Sequence, residues 1–465
     1  MTTSAERTTE APQSGTLDAG LKPRHITMIS IAGVIGAGLF VGSSTAIAAA
    51  GPAVLVAYAL AGTLVVLVMR MLGEMATAQP DTGSFSTYAD RALGRWAGFS
   101  IGWLYWWFWV LVIPIEATAG AKILNGWIPS VSTWVFALLI TGLLMVTNLF
   151  SVKNYGEFEF WFALVKVVAI VAFIVLGVLA IAGVLPGSHA SGVSHLFSNG
   201  GFMPNGFGAV LAAMLTTMFT FMGTEIVTIA AAESPNPEAG IRKAVNSVIS
   251  RISLFYLGSI LVVVSLVAWN AKGLADKGSY QFALEQMGIT WAAPVMDVVI
   301  LTAVASCLNS ALYTASRMAF SLSQRGDAPR GWSTTTSRGV PAKAIIASSV
   351  VGFLGVAGNY LLPEKIFGYL LASSGAIALF VYLVIACSQL VMRRRLDAEG
   401  HRPAVRMWLF PTLTWATIVF IVGVLVLMVI RPEHRLELEL SVVLAAAIVA
   451  IGVARRKGLV RHTSE

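Results

Sequence analysis

Residues 31–42 read I-A-G-V-I-G-A-G-L-F-V-G. They lie inside an apolar run over about 26–50, long enough to enter a membrane. Gly33, Gly36 and Gly38 are poor material for a spanning helix, each costing about 0.5–1 kcal/mol relative to alanine. Non-helical backbone survives at membrane depth only where it faces protein or a cavity. The stretch therefore predicts a span that unwinds near its centre. Freed amides at that depth suit a small anionic group, and interrupted spans point to a transporter site.

The rest of the chain fits that reading. Hydrophobic residues make up 57% of the 465 and charged residues only 12%, against about 25% charged in soluble domains. Mean hydropathy is +0.78. A span takes about 20 residues, and by that ruler twelve apolar runs follow one another from about 26 to about 456. The sequence divides into a disordered tail at 1–24, a transporter core at 25–392, accessory spans eleven and twelve within 393–456, and a second tail at 457–465. A-I-A at 46–48 is not read as a cleavage site, because the surrounding run is too long for a signal peptide and another span follows at once.

The net charge of +8 invites a nucleic-acid partner, but its distribution refuses one. With the spans in alternation, 24 of the 31 basic residues fall on one face and six on the other, leaving Lys166 inside a span. The positive-inside rule then puts both termini in the cytoplasm and the protein in the cytoplasmic membrane. Both cysteines, Cys307 and Cys387, fall in spans, so no disulfide framework or metal spacing arises. The six histidines read as tail or loop residues. With no nucleophile motif, phosphate loop or metal cluster, neither an enzyme nor a cofactor is expected. A channel would want a polar stripe or a ring of charge, and none is visible.

A second interrupted span answers the first. A-A-M-L-T-T-M-F-T-F-M-G-T-E-I-V at 212–227 carries Gly223 and Glu225 in mid-span. Five spans begin at each break, giving halves at about 25–184 and 207–392. An odd repeat places the halves in opposite orientations, the signature of an inverted-repeat transporter. The expected fold is an all-α integral membrane protein with twelve transmembrane helices, a 5+5 inverted repeat plus two extra helices. Between spans, 78–95 reads as a polar, turn-rich connection and 185–206 as an outer loop.

The two breaks complement each other. The second half of span one starts near Gly38, so the free amides just after the break and the half-helix dipole favour a carboxylate, with Ile35 among the candidate substrate contacts. The first half of span six ends near Phe221 and Met222, where unpaired carbonyls favour an ammonium. One anion site beside one cation site suits a zwitterion, and a small amino acid is the obvious one. Close helix packing is the other use of such glycines. Lys166 lies about 12 Å inside span five. It either snorkels outward or stays buried and exchanges a proton, coupling protons to the first break. Glu225 either caps the second half-helix or contacts a proton or the substrate amine. Glu116 and Thr118 in span three form a weaker candidate, read as structural. Arg70 and Glu74, four apart, read as an ion pair. Asn309, Ser310, Tyr313 and Ser316 share one side of span eight and read as interhelical hydrogen bonds or as substrate contacts, with Asn309 the candidate. Ser373, Ser374 and Gly375 in span ten are similar. The aromatic run of span three, including Trp103, Trp106, Phe108 and Trp109, packs or lines a pathway.

Several long stretches are specific. They are R-H-I-T-M-I-S-I-A-G-V-I-G-A-G-L-F-V-G at 24–42, M-R-M-L-G-E-M at 69–75, I-G-W-L-Y-W at 101–106, G-E-F-E-F-W-F-A-L-V-K at 156–166, F-M-G-T-E-I-V at 221–227 and L-N-S-A-L-Y-T-A-S-R-M at 308–318. On these the chain resembles the bacterial amino acid permeases of the amino acid–polyamine–organocation superfamily, and among them the γ-aminobutyrate (GABA) permeases. The resemblance implies a leucine-transporter-like fold with proton-coupled uptake. It implies that Gly36, Ala37 and Gly38 bind the substrate carboxylate, that Phe219 stands where a gating aromatic would, and that the Lys166 ammonium fills the place of sodium in sodium-driven relatives. Ala37 stands where a small polar residue is common, so no side-chain hydrogen bond is expected from it. The expectation is import of a small amino acid with protons by alternating access within the lipid bilayer. Exchange of amino acids or polyamines is the alternative.

Overall fold

The computed structural model describes residues 24–25, 27–28, 35–81, 83–150, 152–232, 236–274, 278–361 and 366–462. Gly33, the tail before Arg24 and the last three residues lie outside them. Among the described residues every regular element is helical. Ten helical stretches are long and apolar enough to cross a membrane, and Ala342–Gly358 is a shorter apolar one. The chain is a multi-pass membrane protein.

The first stretch, Gly38–Ala78, has 41 residues. At 1.5 Å per residue it would reach about 60 Å, twice the hydrocarbon core. It is instead two arms. A π-helical turn at Gly38–Gly42 leads into α1 (Ser43–Ala50), and a tight turn at Gly51–Ala53 opens α2 (Val54–Ala78). Then come α3 (Ser84–Leu93), α4 (Arg95–Trp127), α5 (Thr133–Phe150) and α6 (Val152–Ile181). The connection over 185–206 holds a single 3-10 turn at Ser194–Leu196. After it come α7 (Gly206–Phe221), α8 (Ile226–Ala232) and α9 (Pro237–Arg251), which runs on through a π-helical turn at Ile252–Gly258 into α10 (Ser259–Leu266). The chain closes with α11 (Ser279–Gln286), α12 (Ala292–Gln324), α13 (Ala342–Leu361), α14 (Ile366–Ala398), α15 (Thr412–Ile430) and α16 (Pro432–His462).

Helix α4 is the axle. It packs against α3, α5, α12, α13, α14 and α16, and its aromatic residues are mostly buried. Helix α6 is the opposite kind. Phe158, Trp161, Val165, Val168, Val171, Val175 and Val178 are exposed at steps of three and four. That stripe gives one flank to lipid, while Glu159, Ala163, Lys166, Ile170 and Phe173 face inward.

Three details depart from the sequence reading. The segment 78–95 is not merely a turn-rich connection, since it contains α3. Phe85, Tyr88, Ala89 and Ala92 recur at helical spacing and are buried, and Asp81 accepts from the Gly83 N–H at 2.8 Å and the Thr87 hydroxyl at 2.9 Å to start the turn. Glu74 pairs across helices with Arg393 rather than with Arg70. Its carboxylate takes Arg393 Nη1 at 2.5 Å, the Met407 N–H at 2.6 Å and Gln389 Nε2 at 3.2 Å. Arg70 turns to the Arg406 carbonyl at 2.8 Å and lies over the Trp408 ring. Lastly, His25 is fully buried against Glu157 at 3.2 Å, not a tail residue in water. Arg70, Arg95, Arg325, Arg393 and Arg395 gather at one end of the bundle, bonded to each other's segments. That end is called the basic end below.

Candidate functional site

The second break lies where Gly223 places it, and the described part of the first begins at Ile35. Ile35 and Gly36 are outside any helix, and helical backbone resumes at Ala37. Helix α7 stops at Phe221, Met222 is extended (φ −61°, ψ 139°) and Gly223 takes φ +100°. An L side chain at Gly223 would be strained in that region. Gly36 serves a different need: a Cβ there would stand 2.6 Å from Glu116 Oε1 and 2.8 Å from Cys307 Cβ.

The breaks meet at a small cavity. Gly36 and Gly38 form one wall, Phe219, Thr220 and Met222 another, and Phe108, Trp109, Val112 and Glu116 of α4 with Cys307 of α12 close it. Its free volume is about 10 Å³, at the lower edge of the roughly 10–15 Å³ that a single water needs. The site is collapsed on its own side chains. Phe219 leans on Phe108 with ring centroids 6.1 Å apart.

The first break is already engaged by ionisable groups. Glu116 Oε2 accepts the Ala37 N–H at 3.1 Å. On the other side, Lys166 is fully buried and donates to the Ile35 carbonyl at 3.1 Å and the Ser306 hydroxyl at 2.7 Å. Snorkelling is thereby removed as its arrangement. Ser306 in turn donates to Glu159 Oε1 at 2.5 Å, and that carboxylate lies 3.9 Å from Lys166. Charges so deep persist only when paired.

The second break is held locally. Glu225 accepts the Gly223 N–H on both oxygens at 3.1 Å, a carboxylate turned back on the N-terminal side of α8. The Phe221 carbonyl, expected to stay open for an ammonium, accepts the Thr224 N–H and hydroxyl at 3.3 and 2.7 Å. The extended Met222 brings Thr224 back far enough to reach it. Arg251 is buried behind the break and donates to Thr224 Oγ1 at 3.0 Å.

Of the residues singled out in the sequence, Gly36, Gly38 and Phe219 line the cavity, Ala37 donates its amide to Glu116 of that lining, and Ile35 offers its carbonyl to Lys166. Phe221 points elsewhere, against Tyr58 and Tyr256. Asn309 accepts from Asn148 of α5 at 2.7 Å, away from the lining. Trp103 and Trp106 pack on Trp332, whereas Phe108 and Trp109 reach the cavity. Glu159, Ser306, Thr220 and Arg251 went unnoticed. Glu159 had a signal, since it precedes Lys166 by seven residues and so shares its face of the helix.

The model of the family described as "Amino acid permease" matches residues 25–452. The chain belongs to that family. Its curated relatives include a probable GABA permease of Pseudomonas aeruginosa, 64% identical over 96% of this permease and 94% of the relative. The gamma-aminobutyric acid permease of Escherichia coli is 61% identical, again over 96% and 94%. The aromatic amino acid transport protein AroP of Corynebacterium glutamicum is 43% identical over 89% of each chain. The permease thus shares nearly its whole length with relatives named for differing amino acids.

Proposed function

We propose that the chain is a secondary active transporter that imports a small zwitterionic amino acid, GABA or a close analogue, together with protons. The observation that carries the reading is the meeting of two broken spans at one cavity, with Lys166 bonded to the carbonyl of Ile35 in the first break. The paired breaks support a 5+5 inverted repeat, the apolar runs of the sequence support twelve spans, and the arginines of the basic end support its facing the cytoplasm.

In this reading the substrate carboxylate takes the amide of Ala37 and its neighbours, displacing Glu116. The freed Glu116 carboxylate becomes the counter-charge of the substrate ammonium. The collapsed cavity opens to take the substrate, and the rings of Phe108, Trp109 and Phe219 bound the space into which it opens. Lys166, when charged, ties α6 to the first break. Losing its proton weakens that tie and lets the broken spans move against α6 and α12 during alternating access. Glu225 holds the second break in register.

The purified protein in proteoliposomes tests this. Labelled GABA should accumulate when the lumen is made alkaline relative to the outside, and Lys166→Met should reduce accumulation to passive leak. Counterflow with no accumulation under any pH gradient would favour the exchanger instead.

A further inference from the structure

We infer that Glu159 is the acceptor for the proton that leaves Lys166, and that the proton then travels along a column between α6 and α12 towards the basic end. The inference rests on Lys166 being the coupling residue, as proposed above.

The hydrogen-bond directions are already set for the transfer. Lys166 Nζ donates to Ser306 Oγ at 2.7 Å, and Ser306 Oγ donates to Glu159 Oε1 at 2.5 Å. Lys166 gives a proton to the Ser306 oxygen while the original Ser306 proton passes to Glu159. One N–H bond breaks and one carboxyl O–H bond forms. An ammonium and a carboxylate become an amine and a carboxylic acid, and net charge is unchanged. A single hydroxyl between the two groups lets this happen with little heavy-atom motion. In the low-dielectric interior a neutral pair is an accessible alternative to an ion pair.

Glu159 is also placed to pass the proton on. It is fully buried, and among the described residues its second oxygen has no hydrogen-bond partner. The next side chains of α12, Asn309 and Ser310, face its carboxylate. Ser310 Oγ lies 3.2 Å from Tyr155 Oη, and Tyr155 stacks on Tyr313 with centroids 4.1 Å apart. Helices α6 and α12 run antiparallel here. Lys166, Glu159 and Tyr155 descend α6 as Ser306, Ser310 and Tyr313 descend α12, covering about 16 Å towards the basic end. The other titratable groups near the Lys166 end are Glu116 from α4 and Cys307 from α12. Glu116 is committed to the Ala37 amide, which leaves Glu159 as the carboxylate on the Ser306 relay.

The test uses the full chain in vesicles of phosphatidylethanolamine and phosphatidylglycerol with labelled GABA. Two quantities are measured: accumulation under an imposed pH gradient, and GABA–GABA exchange as internal pH is varied at equal pH on both sides. For Glu159→Gln the ratio of accumulation to exchange should fall by roughly 10²-fold, the scale of removing one acid–base group. Its exchange should also lose the pH dependence of the parent protein. Glu159→Asp should recover part of both. Ser306→Ala, which keeps both ionisable groups and removes only the relay hydroxyl, should lower the same ratio and guards against misfolding of the Gln variant. Accumulation by Glu159→Gln at the parent level overturns the relay alone. So does a parallel loss of exchange and accumulation that Asp does not reverse. A parent protein that exchanges GABA but never accumulates it removes proton coupling itself, and the relay with it.

Discussion

Glu116 Oε2 holds the N–H of Ala37 at 3.1 Å across 79 positions of sequence. The amide that the proposed function gives to the substrate carboxylate is thus occupied by a carboxylate of the protein. Two opposing effects follow for Glu116→Gln. Weakening the internal competitor would favour binding by about 1.5–3 kcal/mol, the worth of a hydrogen bond to a charged group. Losing the counter-charge of a buried ammonium would oppose it by about 3–5 kcal/mol. The second is larger, so GABA affinity of the purified variant should fall roughly 10-fold in a calorimetric titration. Tighter binding would leave Glu116 as a competitor only.

Glycine positions in the first break should rank by the space around them. Gly36→Ala drives a Cβ to 2.6 Å from Glu116 Oε1 and 2.8 Å from Cys307 Cβ, an overpacking worth about 1–3 kcal/mol. Gly38→Ala meets Thr220 at 3.1 Å, a milder contact. Gly42→Ala meets nothing within 4 Å and should gain roughly 0.5–1 kcal/mol of helix stability. Uptake should therefore fall most for position 36, less for 38 and least for 42, with thermal stability in detergent following the same order.

The sequence disclosed the breaks because a break is a local property. Gly36 and Gly223 announce it by lacking a side chain, and their neighbours in the chain suffice to place it. The occupants of the breaks were less visible. Glu116 reaches Ala37 only through the packing of α4 on the first span, and Asn309 turns to Asn148 because α5 covers that side of α12. Helix α3 was hidden by Pro80, Asp81 and Gly83, which mark only its approach. Glu159 was readable as the inward partner of Lys166, since seven residues put both on one helix face.

The Glu74–Arg393 pair clamps α2 to α14 at the basic end. Both side chains are almost wholly buried, and Glu74 also holds the Met407 N–H and Gln389. Arg393→Met leaves that carboxylate without its cation and should destabilise the protein by about 3–5 kcal/mol. Glu74→Leu combined with Arg393→Met should cost less than either single change, because no unpaired charge remains. Thermal unfolding of the three variants closes the double-mutant cycle. A simple sum of the single effects would show that the two residues act independently.

Substrate size should be set by the rings of Phe108, Trp109 and Phe219, which close a cavity of about 10 Å³. Ligand binding raises apparent stability by about 2.7 kcal/mol at a hundred times Kd, so a thermal-shift series reads occupancy directly. GABA and β-alanine should stabilise the protein, and phenylalanine and tryptophan should not. Trp109→Ala removes the largest ring from the wall and, if the wall relaxes little, leaves a void that a bulkier side chain can fill. That variant should lose stabilisation by GABA and gain it from phenylalanine. If phenylalanine already stabilises the parent protein as well as GABA does, the aromatic wall is not the sieve.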